Sequence, residues 1–294
     1  MKIIITGSLG NIGLPLSKQL IERGHSLTVI SSNPEKKEMI EHLGATAAIG
    51  LLSDTDFLKA SFIGADAVFC MVPPDYQQPD QIEYYKTLGE NYKQAIIESE
   101  VKRVVHLSSY GAHLPAGTGF IAGVYHVEQT LNTIPDIYLT HLRPTYFYYN
   151  LLAFIPMIKS AGFIGTVYGD IDRLPLVSPA DIAAVAAGEL VEAGKISPVR
   201  YISSDERSCN EIAAVLGRAI GKPDLKWVTL PFDMVQKNLK DSGLSDEYVS
   251  KILELGQAIH SGKLQEEYAL NIPVPGQIKL EEYAQEFSAL FHAK

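Results

Sequence analysis

Lys2-Ile3-Ile4-Ile5-Thr6-Gly7-Ser8-Leu9-Gly10-Asn11-Ile12-Gly13 decides the fold. An isoleucine run closed by Thr6 and Gly7 predicts a short strand buried on both faces, as in a parallel sheet. From Ile12 to Arg23 apolar residues return at helical spacing, at Ile12, Leu16 and Leu20 and at Leu14 and Ile21. Gly24 supplies the C-terminal cap of that helix. Leu27 to Ile30 reads as a second strand. A glycine-rich turn thus joins a strand to a helix within one βαβ unit. Gly7 permits a tight exit, Gly10 lets a pyrophosphate approach the backbone, and Gly13 lets the helix pack closely on the sheet. The first N–H groups of the helix and its dipole then face the phosphates. The turn predicts dinucleotide binding, carried by Gly7, Gly10 and Gly13.

The tip of the second strand bears on which dinucleotide. An acid there would bond the adenosine 2′-OH of NAD. The chain has Ser31-Ser32-Asn33-Pro34-Glu35-Lys36-Lys37 instead. Ser32, Asn33 and Lys36 can all donate to a 2′-phosphate. The expectation is NADP(H) in preference to NAD(H), with the set incomplete because no Arg is present. A solvated helix face is the alternative for Lys36 and Lys37.

Further along, Ala45–Ile49, Ala67–Val72, Arg103–Leu107 and Ile137–Leu142 read as strands, and 79–99 and 122–132 as helices. The alternation predicts a Rossmann-type, doubly wound parallel α/β sheet. After Pro144 the pattern loosens. A helix opens at Pro179 and reaches about Ala193, and Val199–Ser203 returns to the sheet. Helices at 210–221, 231–240, 245–260 and 280–292 suggest a smaller, mostly helical lobe. We divide the chain into residues 1–150, a dinucleotide domain, and 151–294, a substrate or lid lobe.

Composition narrows the function. A net charge of −9 argues against a nucleic-acid partner, which needs a basic face. Two cysteines, Cys70 and Cys209, make no disulfide framework and fit a cytoplasmic protein. No apolar run suits a membrane span or a secretory signal. The eight histidines show no metal-ligand spacing, so no metal is expected. No Gly-x-Ser-x-Gly elbow is present, so hydrolase chemistry has no nucleophile.

Several motifs together resemble the NmrA-like family, an atypical branch of the short-chain dehydrogenase/reductases. They are Thr6–Gly13, Ser32-Asn33-Pro34-Glu35-Lys36, Arg103–Ala112, Val127–Leu131, Leu142–Phe147 with Asn150-Leu151-Leu152, and Pro179–Ala183. The chain is similar to the quinone oxidoreductase and azoreductase-like members. The resemblance implies that residues 7–12 hold the pyrophosphate. It puts Ser32 where relatives carry an Arg for the 2′-phosphate, and Lys36 where they often carry a Lys. Leu51 stands where many have an acid near the adenine. Met71, Val72, Pro73, Leu107, Ser108, Ser109, Pro144 and Tyr146 would line the nicotinamide and its ribose.

The chain departs from the wider superfamily at its proton relay. That relay is a Tyr with a Lys four residues later. None of the fifteen tyrosines has a Lys at that distance. Phe120 and Val124 stand where the pair would be. Tyr110, Tyr125 and His126 are the candidate proton carriers, each with a plainer reading: a lid aromatic for Tyr110 and a surface group for His126. Tyr146, Phe147, Tyr148 and Tyr149 form an aromatic strip that suits a flat substrate or, for about half of it, the core. Arg143 is expected to pair within the fold, His106 to be a satisfied core histidine, and Asp181 to start a helix. Two readings follow. One is an NAD(P)H-dependent reductase of quinones or similar flat aromatic acceptors. The other is a non-catalytic NAD(P) redox sensor acting through a protein partner.

Overall fold

Seven parallel strands form the central sheet in the computed structural model, which describes residues 1–75, 77–192 and 198–293. Six of them are β1 (Lys2–Ile5), β2 (Ser26–Ser31), β3 (Thr46–Ile49), β4 (Ala67–Cys70), β5 (Arg103–Leu107) and β6 (Tyr138–Pro144), and the seventh is β10 (Val199–Ile202). Helices α1 (Gly13–Glu22), α2 (Lys37–His42), α3 (Thr55–Phe62), α4 (Gln81–Ser99) and α5 (Ile121–Leu131) alternate with them. The sequence pattern missed α2 and α3, both short, while α4 begins at its Asp80 cap, which accepts from the Glu83 amide.

Beyond β6 come β7 (Tyr146–Phe147), α6 (Ile155–Ala161), β8 (Ile164–Thr166), β9 (Arg173–Val177) and α7 (Pro179–Val191). Then follow β10 (Val199–Ile202), β11 (Asp205–Ser208), α8 (Cys209–Ala219), β12 (Trp227–Thr229), α9 (Phe232–Asp241), α10 (Asp246–His260), α11 (Glu266–Leu270) and α12 (Leu280–His292). The expected helix end at Ala193 lies outside the described residues.

The sheet order is β10-β6-β5-β4-β1-β2-β3. Chain order therefore reverses between β1 and β4, and ligands of open α/β sheets sit at such a switch point. The strand pleat explains the two faces. Ile3 and Ile5 point to one side, with Leu16 and Leu20 of α1 and Ala183, Ala186 and Ala187 of α7. Ile4 points to the other, with Leu58, Phe62, Tyr92 and Val127 from α3, α4 and α5.

A third core belongs to the C-terminal region, around Tyr148, Trp227, Leu253 and Phe287. This region holds more sheet than the sequence pattern suggests: β11-β9-β7 and β12-β8 form two small sheets beside the helices. Strands of two to five residues interrupted by Gly and Pro leave little periodicity to read. The chain also crosses back, since α7 packs on α1 and β10 pairs with β6.

Candidate functional site

The turn after β1 is shaped by backbone constraints. Gly7 has φ +88° and Ser8 φ +60°, so the chain leaves the strand through two left-handed residues. Gly7 is also crowded, because a Cβ there would collide with the Met71 side chain. At Gly13 a Cβ would run into the Ser8 carbonyl oxygen. The reason for Gly13 is thus the turn folding over the helix start, and not helix–sheet packing. Gly10 is different: its nearest would-be neighbour is the Gly7 carbonyl oxygen at 3.5 Å, an ordinary contact. The space over Gly10 is left open on the cleft side. No side chain caps α1 and its first turn holds no acid. Leu14 and Leu16 N–H already donate to the Gly10 and Ile12 carbonyls and Pro15 has none, so the Gly13 N–H and the positive end of the helix dipole are what the helix start offers an anion.

A cleft runs across this turn in two sections that share Gly7. The larger, about 820 Å³, passes Ser8, Ser31 and Ser32 to Gly50, Leu51 and Leu52, with Pro73, Pro74, Tyr84 and Leu88 opposite. The smaller, about 170 Å³, is bounded by Gly7, Gly10, Asn11, Ile12, Met71, Leu107 and Tyr149. Leu51, 57% exposed, offers an apolar platform where an acid would offer a hydrogen bond. Ser8 Oγ donates to Ser31 Oγ at 3.0 Å and ties the turn to the tip of β2. Asn33 caps the following 3-10 turn by accepting from the Glu35 amide, which leaves its NH₂ as the donor. Ser32 lines the cleft, and Asn33 and Lys36 do not. Asp75, Asp80 and Glu83 face the larger section from the α4 side, and no Lys or Arg lines it among the described residues.

The other predicted residues divide into cleft and core. Met71 keeps its backbone fixed: its N–H donates to Thr6 Oγ1, and its carbonyl accepts from buried Tyr92. Pro73 is half-buried in the wall, and its carbonyl accepts from Tyr84. Val72 turns inward to the core beneath the sheet. Pro144 is buried in β6. Ser108 is a correction: its side chain does not face the cleft but donates to Glu128 Oε1. Ser109, half-buried, donates to the Tyr110 carbonyl.

Tyr110 is a second correction. It is no lid but a core residue, 4% exposed, and burial pushes its phenol well above the usual value. Tyr146 meets Tyr168 hydroxyl to hydroxyl at 3.3 Å, and burial raises its pKa to about 12. Tyr148 is core, stacked on Tyr283 at 4.9 Å. Tyr149 reaches the smaller section and stacks on Phe147. The strip therefore splits between core and cleft. Tyr125 and His126 are half-buried on α5, ring against ring, with His126 near Lys86 and Glu83 of α4. Partial burial lowers the His126 pKa, helped by Lys86. Phe120 packs on Tyr248 of α10, and Val124 is wedged between two cores.

Arg143 pairs within the fold and His106 is a satisfied core histidine, as the sequence leads one to expect; their partners in the polar network under β5 and β6 were not legible. Arg143 donates through Nε and Nη2 to the two Glu128 oxygens at 2.9 and 2.6 Å. Its Nη1 donates to Tyr201 OH at 3.1 Å and to Glu267 Oε2 at 2.9 Å. Burial opposes the Arg143 charge, but Glu128 outweighs it and raises the pKa. Beside it His106 and His141 meet through their Nδ1 atoms at 3.0 Å, and His141 Nε2 reaches Asn132 Oδ1. Donation to Asn132 leaves His141 Nδ1 to accept from His106, so both rings are satisfied while neutral. A separate cavity of about 790 Å³ opens at the β10 edge, between α7 and residues 271–278.

A doubly wound parallel sheet of this order, with a glycine turn at its switch point, defines the Rossmann class. The pattern of the NmrA-like family matches residues 1–283, and the chain belongs to that family. Over 238 residues it is 28% identical to (4-alkanoyl-5-oxo-2,5-dihydrofuran-3-yl)methyl phosphate reductase of Streptomyces griseus subsp. griseus, covering 81% of this chain and 80% of that protein. Its fold is similar to an NADPH-dependent quinone oxidoreductase of Escherichia coli solved with NADPH, at TM-score 0.81 and 22% identity over 97% of this chain and 99% of that one. Triphenylmethane reductase of Citrobacter sp., solved with NADP(H), matches at TM-score 0.79 and 19% identity over 97% and 99%. Among the described residues no helix is long and apolar enough to cross a membrane, and no side-chain group has the make-up of a metal site.

Proposed function

We propose that the protein is an NAD(P)H-dependent oxidoreductase that reduces quinones or similar flat electron acceptors. The observation that carries this reading is the turn itself: an uncapped, acid-free helix start beneath an open Gly10, at the switch point of the sheet. The reductases named above support it by their names. In this reading the pyrophosphate lies over residues 7–12 and the adenosine over Leu51. The nicotinamide lies in the section bounded by Met71, Leu107 and Tyr149. Ser32, the Asn33 NH₂ and Lys36 give NADP(H) a modest advantage, which the carboxylates across the cleft limit.

The bound dinucleotide would supply hydride. The chain's own part is to orient the ring and hold the acceptor. Proximity and orientation alone contribute on the order of 7–11 kcal/mol in favourable cases. That suits an electrophilic acceptor whose reduced oxygens take protons from water, and it does not suit a plain ketone. NADPH oxidation should therefore be faster with quinones than with simple aldehydes or ketones by orders of magnitude. Equal rates with both classes would mean a proton donor that this reading lacks.

Phe120 and Val124, packed where the Tyr and Lys of the wider superfamily would stand, favour one second reading: an NAD(P) sensor acting on a protein partner. Tight cofactor binding with no turnover on any acceptor would select it.

A further inference from the structure

We propose that Glu267 of α11 is a positioning residue for the nicotinamide end of the cleft, acting through Arg143 and Glu128 on the tip of β5. The inference rests on the dinucleotide reading above. Each link is a hydrogen bond. Glu267 Oε2 accepts from Arg143 Nη1 at 2.9 Å. Arg143 grips both Glu128 oxygens, and Glu128 accepts from Ser108 Oγ. Ser108 follows Leu107, which bounds the smaller section, and its N–H is fixed to the Leu142 carbonyl at 2.7 Å. The chain of contacts thus leads from the C-terminal region to the strand tip that would carry the nicotinamide ribose.

The links are strong because they are buried and charge-assisted. The Arg143 and Glu128 side chains are 6% and 2% exposed, and that of Glu267 is 35% exposed. One guanidinium therefore serves two carboxylates, one locked inside and one at the rim. Glu267 is the member that can let go at least cost.

His113, on the loop after β5, can compete for it. Its Nδ1 is 3.4 Å from the same Glu267 oxygen that Arg143 holds. Neither ring nitrogen has a hydrogen-bond partner among the described residues, although both are buried. Such orphaned groups are costly, so a ring that gains a partner on protonation is poised to switch. The charged groups facing His113 are Glu267 and Glu266 of α11, Arg143 of β6 and Glu128 of α5. Burial lowers its pKa against the pull of Glu267, and Arg143 lowers it further, so the ring is neutral near pH 7. On acidification His113⁺ takes Glu267 Oε2, and Arg143 loses its outer anchor.

The test separates the two ends of the cleft. NADPH binding and binding of adenosine 2′,5′-bisphosphate, the adenosine half alone, are measured from pH 5 to 8. Wild type, Glu267→Ala, Glu267→Gln and His113→Gln are compared. At pH 7.5 Glu267→Ala should bind NADPH about tenfold more weakly, the low end for one hydrogen bond to a charged group. The bisphosphate should change less than twofold, and Glu267→Gln should recover part of the NADPH loss. Wild-type NADPH affinity should fall on the acid side relative to the bisphosphate, and His113→Gln should flatten that fall. Unchanged NADPH affinity in Glu267→Ala would overturn the inference. So would an equal loss for both ligands, which marks a general structural defect. If wild type binds neither ligand, the dinucleotide reading itself fails, and this inference with it.

Discussion

The two ends of the cleft are built from different materials. The end that the proposed reading gives to adenosine and pyrophosphate is made of backbone and short side chains: Gly7, Ser8, Gly10, Ser31, Ser32 and Gly50, drawn from neighbouring strand tips. The end proposed for the nicotinamide rests on buried side chains that bond to one another across long stretches of chain, as Arg143 does to Glu267. The first end is a consequence of local geometry that any ligand with a pyrophosphate can use. The second depends on how the C-terminal region is seated. Binding and chemistry should therefore be separable by mutation.

The largest effect should come from the turn. Gly10→Val adds bulk over a site with no protein atom nearer than 3.5 Å, so the fold should hold. NADPH affinity should drop by about 100-fold or more, because the added side chain takes the space of the pyrophosphate. Gly13→Ala should behave in the opposite way. Its Cβ meets the Ser8 carbonyl, so unfolding should move by about 1–3 kcal/mol, as for other overpacked sites. Denaturant melts of both variants check the pair, and equal destabilisation would erase the distinction drawn here.

A smaller effect is expected at the tip of β2. Ser32→Arg places a guanidinium beside the expected 2′-phosphate. It should raise the NADPH-over-NADH affinity ratio by about tenfold, as one charge-assisted contact allows. Calorimetry with both cofactors measures the ratio. No change would put the 2′ position elsewhere, away from Ser32.

Acid should weaken the fold more gently. Every histidine with a resolved shift, namely 25, 106, 113, 126 and 141, is moved downward, and burial leads in each. A lowered pKa means that the unfolded chain takes the proton first. Stability is thus full above the ordinary value of 6.5 and is lost as pH falls below it, by up to about 1.4 kcal/mol per pH unit for each of the buried His106 and His141, with solvent screening leaving the more exposed His25, His113 and His126 a smaller share. Urea midpoints at pH 7.5 and 5.5 should show the fall. A flat profile would contradict the neutral His106–His141 pair.

The smallest effect should be that of Tyr110→Phe. A buried phenol pushed far above neutrality and set in the C-terminal core is a poor acid for the cleft. Turnover should fall by less than the roughly 10²–10⁴-fold of a lost general acid. A larger loss would move the chemistry to that side.

How much the sequence disclosed follows the same divide. The succession of strands along the chain and the glycine turn were legible because they rest on short-range rules: an apolar run, a helical period, a glycine where the strand must turn. The reason for Gly13 was not, because the Ser8 carbonyl above it is a feature of the closed turn. Ser108 looked like a cleft residue, since its partner Glu128 lies twenty positions on and is brought close only when α5 packs on the sheet. Tyr110 read as a proton carrier or a lid aromatic, and Tyr148 as pocket wall or core, as nothing local distinguishes a buried ring from a lining one. His113 drew no notice, for its interest lies wholly in Glu267, on α11.

One measurement bears most directly on the central claim: a crystal structure of the protein with NADPH. The account predicts the pyrophosphate on the N–H groups of residues 7–12, the adenine over Leu51, and the nicotinamide between Met71, Leu107 and Tyr149. NADPH bound instead in the cavity between α7 and residues 271–278, with the turn empty, would contradict it.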